Sequence, residues 1–210
     1  DLVVQWGGTP EAGVIGSSLR LPAVHAAMAN AVAARSYDFE VMSVLIGDKL
    51  IPSHHAATTV MTGLAVAEAC GADGRSLIAA IAVGDDLSAR LLAASGLDFS
   101  QGWDGSAVYS APGAALIAAK LMGLTPEQAL NAVALTIAQI SHSIEDLYDG
   151  GTSFKLGQGT AARNAILAAG LAARGWTGMR DALGGRYGFF AQYTAGGEDP
   201  AILTRGLGST

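Results

Sequence analysis

The sequence predicts an all-α domain, a multi-helix bundle of mainly antiparallel, Ala- and Gly-rich helices. Three observations point there. Apolar and small residues recur over six stretches of helical length, most of them bordered by Gly, Pro or a capping side chain. The apolar–polar alternation of a strand is almost absent. Successive helical stretches are joined by short loops, which favours antiparallel neighbours.

The first stretch runs from about Pro22 to Ser36, with Pro22 suited to the first turn and Ala filling most of the interior. The second runs from about His54 to Cys70, with Ser53 before it as a cap and Gly71 after it as a stop. Asp73 is placed to cap a third, from Gly74 or Arg75 to about Ala94. A fourth covers about Gly113 to Met122 and closes at Gly123. Thr125-Pro126-Glu127-Gln128 is the sharpest local signal: Thr is the cap, Pro opens the helix, and Gln completes a capping box. That helix is expected to reach about Ile140, and a sixth covers about Thr160 to Arg174. From Gly184 to Thr210 the period is lost. Residues 1–190 therefore read as one helical domain, and 191–210 as a Gly-rich tail or the start of a further region.

With 210 residues, the chain is long enough for one sizeable core. Half of it is apolar and only 14% is charged, so part of the surface is expected to be covered by another subunit, a further C-terminal domain or a partner chain. A net charge of −6 speaks against nucleic acid, which needs a basic face. Apolar runs such as Leu77–Val83 are too short for a bilayer and end at Asp85 and Asp86, so no membrane association is expected. Cys70 is the only cysteine; it reads as a core residue and fits a reducing, cytoplasmic setting. The start, DLVVQWGG, has neither the basic region nor the long apolar core of a signal peptide, and a chain without an initial Met is expected to be a fragment or a processed product.

Polar residues gather in the loops between the apolar helices. His54 and His55 open the second helix, where unpaired N–H groups attract carboxylates and imidazole moves protons near neutral pH. Asp38 and Glu40 lie in ARSYDFE, Asp104 in GWDGS, and Tyr148, Asp149 and Lys155 in LYDGGTSFKLGQG. Together they form a proton-transfer and carboxylate-binding set. No Cys or His spacing reads as a metal site, because adjacent histidines cannot share one helical face. GQGTAARNA lacks the GK[ST] end of a phosphate loop. His142, in ISHSIED, reads as structural or as paired with a helix end.

The blocks ANAVAARSYDFE, HHAATTVMTGLAVAE, GWDGSAVYSAPGAALIAAKLMGLTPEQ, KLGQGTAARNAILAAGLAARGWTG and ALGGRYGFF, in this order, resemble the MmgE/PrpD family. That family includes 2-methylcitrate dehydratases, cis-aconitate decarboxylases and iminodisuccinate epimerases. The resemblance implies the family's large helical domain, without part of its N-terminal region and without the α+β domain that follows. It implies a homodimer that needs no metal or cofactor and acts on a small polycarboxylate. The family's aspartate falls on Asp38, its second acid on Glu40 and its first histidine on His54, with His55 in place of the usual proline. Its second histidine falls on Asp104. Its lysine falls on Lys155 or, one residue earlier, on Phe154, and the histidine of that block becomes Gly157.

The expected activity is a lyase that removes a proton α to a carboxylate with loss of water, as a 2-methylcitrate dehydratase does. The alternatives are an epimerase of a small dicarboxylate, like iminodisuccinate epimerase, or a non-catalytic helical subunit. His54, Asp38, Asp104 and Lys155 are the candidate catalytic residues, and His55, Glu40, Tyr148 and Gln158 the candidate substrate-binding residues.

Overall fold

The computed structural model describes residues 1–208 except Phe39, Met42, Gly47, Asp48, residues 97–101, Ala195 and Gly197. Phe39 of the acidic motif, and Ala195, Gly197, Ser209 and Thr210 of the expected tail, thus lie outside the described residues.

The domain is all-α. Its helices are α1 (Leu2–Trp6), α2 (Ala23–Arg35), α3 (Ala56–Cys70), α4 (Gly74–Ser95), α5 (Gly105–Leu121), α6 (Pro126–Ile137), α7 (Glu145–Tyr148), α8 (Phe154–Ala172) and α9 (Phe189–Tyr193). Two small antiparallel hairpins, β1 (Ala12–Gly13) with β2 (Arg20–Leu21) and β3 (Ser43–Ile46) with β4 (Lys49–Pro52), interrupt them. The second hairpin has no counterpart in the sequence reading. It is short, and a lone two-stranded ribbon carries little pattern of its own.

Two local caps, at Asp73 and Thr125, act where the sequence places them. Asp73 accepts the Ser76 N–H at 2.7 Å, and Thr125 and Gln128 exchange both bonds of the capping box. Gly71 ends α3 in the left-handed conformation, φ 65°. Two other helices are capped from a distance. The Glu11 carboxylate accepts the Ala23 N–H at 2.9 Å, and Glu40 accepts the Ala57 N–H at 2.7 Å. Ser53 is therefore not the cap of α3; its buried hydroxyl has no hydrogen bond among the described residues. α3 itself begins at Ala56, so His54 lies ahead of the helix and His55 at its N-cap.

α5 lies at the centre, packed on α3, α4, α6 and α8, and most of its residues are buried. It starts well before Gly113, with Pro112 inside it. Proline in a helix interior removes a hydrogen bond and reads as a break. Here the Asp104 cap and burial on every side outweigh that cost. α8 likewise begins at Phe154 rather than near Thr160, because Gly157 and Gly159 are contact points rather than loop residues. A Cβ on Gly157 would stand 2.6 Å from the His142 ring, and one on Gly159 2.6 Å from Val32. At the crossing of α4 and α5, Gly84 and Gly113 face each other. A Cβ on Gly113 would overlap Ser88 Oγ and the Gly84 carbonyl.

The described part of the tail packs on α4: Asp199 N–H donates to the Ala94 carbonyl at 2.9 Å, and Arg90 donates to the Ile202 and Arg205 carbonyls. Cys70 is exposed rather than in the core, since it is the last residue of α3 at the open end of that helix. Among the described residues, no helix is long and apolar enough to cross a membrane.

Candidate active site

The β3–β4 hairpin separates Glu40, which precedes it, from His54, which follows it, and the two meet in the fold. The meeting point is Arg35, the last residue of α2 and almost wholly buried. Its Nη1 pairs with Asp38 Oδ1, lies 3.7 Å from Glu40 Oε1 and 3.4 Å from His54 Nδ1. Glu40 Oε1 is also 3.7 Å from His54 Nδ1. Asp38, Glu40 and His54 thus converge on one guanidinium. Arg35 escaped the sequence reading because an arginine closing a helix is an ordinary terminal residue. The available signal was its spacing from the acids in ARSYDFE.

The ligating atoms of Asp38, Glu40 and His54 lie within 4.8 Å of one another, a spacing that a metal ion would accept. Arg35 already presents a positive charge to this group of atoms. A guanidinium cannot lose that charge, so a divalent ion would meet repulsion there.

The geometry sets the state of each group. An arginine only donates, so its contact assigns His54 Nδ1 as the acceptor and the ring proton to Nε2. Burial, and then the Arg35 charge, hold the His54 imidazole below its ordinary pKa of 6.5. Burial pushes the Glu40 carboxyl above its ordinary 4.5, against the Ala57 N–H and Arg35, which lower it. Asp104 acts on both: its charge raises Glu40 and His54 alike. Asp104 is buried and caps α5, accepting the Ser106 N–H at 2.9 Å, while its own N–H donates to the His142 carbonyl at 3.1 Å.

Two of these residues have unusual backbones. Asp38 has φ 54° and His54 φ 66°, both in the left-handed region. Non-glycine residues held there cluster at functional sites, where surrounding contacts maintain them. Gln158 supplies one such contact, donating to the His54 carbonyl at 2.6 Å.

His55 takes a separate path. Its Nε2 faces Asp85 Oδ1 of α4 at 3.7 Å. Burial lowers the His55 pKa and raises that of Asp85. Asp85 appears in the sequence only as one of two adjacent aspartates inside a helix, so its partnership was not legible there. Lys155 lies at the start of α8, with its ammonium 5.7 Å from the centre of the Phe154 ring; the Arg35 guanidinium lies 5.3 Å from the same ring. Phe154 thereby links Lys155 to the His54 cluster. Tyr148 ends α7 with 75% of its surface exposed, and no described contact joins it to the cluster.

Residues 1–201 match the family model for the MmgE/PrpD N-terminal domain. The chain belongs to the MmgE/PrpD family. This MmgE/PrpD domain is similar to cis-aconitate decarboxylase of Aspergillus terreus, 31% identical over an aligned length of 209 that covers 93% of this chain and 41% of that protein. Human cis-aconitate decarboxylase is 32% identical over an aligned length of 183 that covers 83% of this chain and 36% of its own. Cis-aconitate decarboxylase-like protein oryM of Aspergillus oryzae is 31% identical over an aligned length of 126 that covers 59% of this chain and 26% of its own. The MmgE/PrpD domain described here thus spans at most about two fifths of the length of these curated relatives.

Proposed function

We propose that the protein is a lyase acting on a small tricarboxylate of the cis-aconitate type, with His54 delivering a proton to carbon. The observation that carries this reading is the contact of Arg35 Nη1 with His54 Nδ1 at 3.4 Å. It favours the ring form with hydrogen on Nε2, which suits giving a proton rather than taking one. The names of the relatives favour the same direction, since decarboxylation ends in protonation. The bond between the leaving carboxylate and its carbon breaks, and CO₂ departs without that electron pair. The pair shifts across the double bond to the carbon that receives the Nε2 proton. As Nε2 gives up its proton, Nδ1 takes one from the Glu40 carboxyl, whose Oε1 lies 3.7 Å away, so the ring stays neutral. Before the next turnover Nε2 takes a proton from solvent and Nδ1 hands its own back to Glu40. Asp38 and Arg35 hold the ring, and Lys155 binds a retained carboxylate.

The test is ¹H NMR in D₂O of the natural full-length protein with cis-aconitate, citrate-like acids and aspartate-like acids. The expected result is consumption of cis-aconitate, with new alkene signals and deuterium at one product carbon. Dehydration of a citrate-like acid would replace this reading with the hydro-lyase one. Exchange of an α-proton without consumption would make the protein an epimerase. Silence from folded protein would favour a non-catalytic subunit.

A further inference from the structure

We infer that Gln158 and Thr58 form a positioning pair that holds His54 in its left-handed conformation and thereby sets its ring form. The lyase role of His54 rests on the reading above; the geometry of the pair does not. Gln158, in the second turn of α8, is fully buried, with 0% exposure, as is Thr58 in the first turn of α3. Both ends of the Gln158 amide are in use. Its Nε2 donates to the His54 carbonyl at 2.6 Å, and its Oε1 accepts the Thr58 hydroxyl at 2.5 Å. The same hydroxyl is 3.4 Å from the Gln158 carbonyl. A flipped amide would set two oxygens against each other at His54, so the orientation follows from the partners.

The consequence lies in the backbone of His54. At φ 66° its Cβ crowds the carbonyl, and a residue of this type leaves that region unless something retains it. The Gln158 bond retains the carbonyl. On the other side, the turn of chain leading to the α3 N-terminus carries the Nδ1 edge to Arg35 and Glu40. Releasing the carbonyl lets the peptide relax, the ring turns, and the Arg35–Nδ1 contact opens. A fully buried side chain with both ends bonded does not reach substrate, so Gln158 is a positioning residue rather than the substrate-binding residue expected from the sequence. Its effect on chemistry therefore passes through His54.

The experiment records long-range ¹H–¹⁵N spectra of the histidine rings at pH 7.5 in the natural full-length protein, with His54→Ala to assign the signals. The parent protein is expected to show the His54 proton on Nε2 and Nδ1 as an acceptor. Gln158→Met keeps length and burial but cannot donate. It is expected to move both ring nitrogens toward an averaged form, and to lower kcat by about 10- to 100-fold with KM changed less than threefold. Thr58→Val, which leaves the bond to His54 but frees the amide oxygen, is expected to give a smaller shift in the same direction, and serves if Gln158→Met fails to fold. Unchanged His54 ring signals in either folded variant would overturn the inference, whatever the activity. If the parent protein consumes no acid while the ring signals move as expected, the lyase reading fails and the positioning pair stands.

Discussion

Burial and Arg35 together give His54 its character: burial first, and then the cation against Nδ1, leave the imidazole reluctant to charge. Loss of that ring is the direct test of its role. His54→Ala, with folding intact by circular dichroism, is expected to lower the rate on the active acid by about 10²–10⁴-fold, the range for a lost general acid or base. A loss under tenfold would remove His54 from the mechanism. His55 and His54 also couple folding to pH. Burial holds both below 6.5 in the folded chain, while the unfolded chain takes up their protons near 6.5. The unfolded state therefore binds more protons just below that value. The stability is complete above 6.5 and is lost as pH falls toward the folded pKa values. Glu40 and Asp85 act with the opposite sign. Their raised pKa values return stability as pH falls through them. Thermal unfolding is expected to show a lower midpoint at pH 5.5 than at pH 7.5, and a smaller drop in His55→Gln. An equal drop in that variant would assign the dependence to another group.

Helices whose start is written in neighbouring residues were legible, and those whose start depends on distant contacts were not. Asp73 and the Thr125–Gln128 box announce α4 and α6 because cap and capped N–H lie within one turn. Glu11 and Glu40 cap α2 and α3 across 12 and 17 residues, and no local pattern carries that information. Pro112, Gly157 and Gly159 read as interruptions, yet each lies inside a helix because packing decides there. The glycines of the α4–α5 crossing are the sharpest instance. Gly113→Ala would push a methyl into Ser88 Oγ and the Gly84 carbonyl. It is expected to destabilise the domain by about 1–3 kcal/mol through overpacking, measured by denaturant unfolding. A neutral or stabilising result would mean that the two helices part without strain.

At the scale of the whole molecule, the acidic motif and the first histidine were readable as a set, because each lies in a distinctive loop. Their common partner was not, since Arg35 gains meaning only when the residues flanking the β3–β4 hairpin meet the end of α2. The hairpin also leaves apolar surface beside this site: Leu45 and Leu50, paired across its strands, are 71% and 70% exposed. With so few charges in the chain, we expect the natural protein to sediment as a homodimer; a monomer at tens of micromolar would remove that expectation. Glu40 has one further consequence. One of its oxygens closes the start of α3, and the other faces His54 and Arg35. A single carboxyl therefore serves the scaffold and the chemistry together. Anyone seeking a variant that works in more acidic media would find the two traits inseparable at this position. Tuning the reaction there would also loosen the helix, and the search for independent control would have to begin at Arg35 instead.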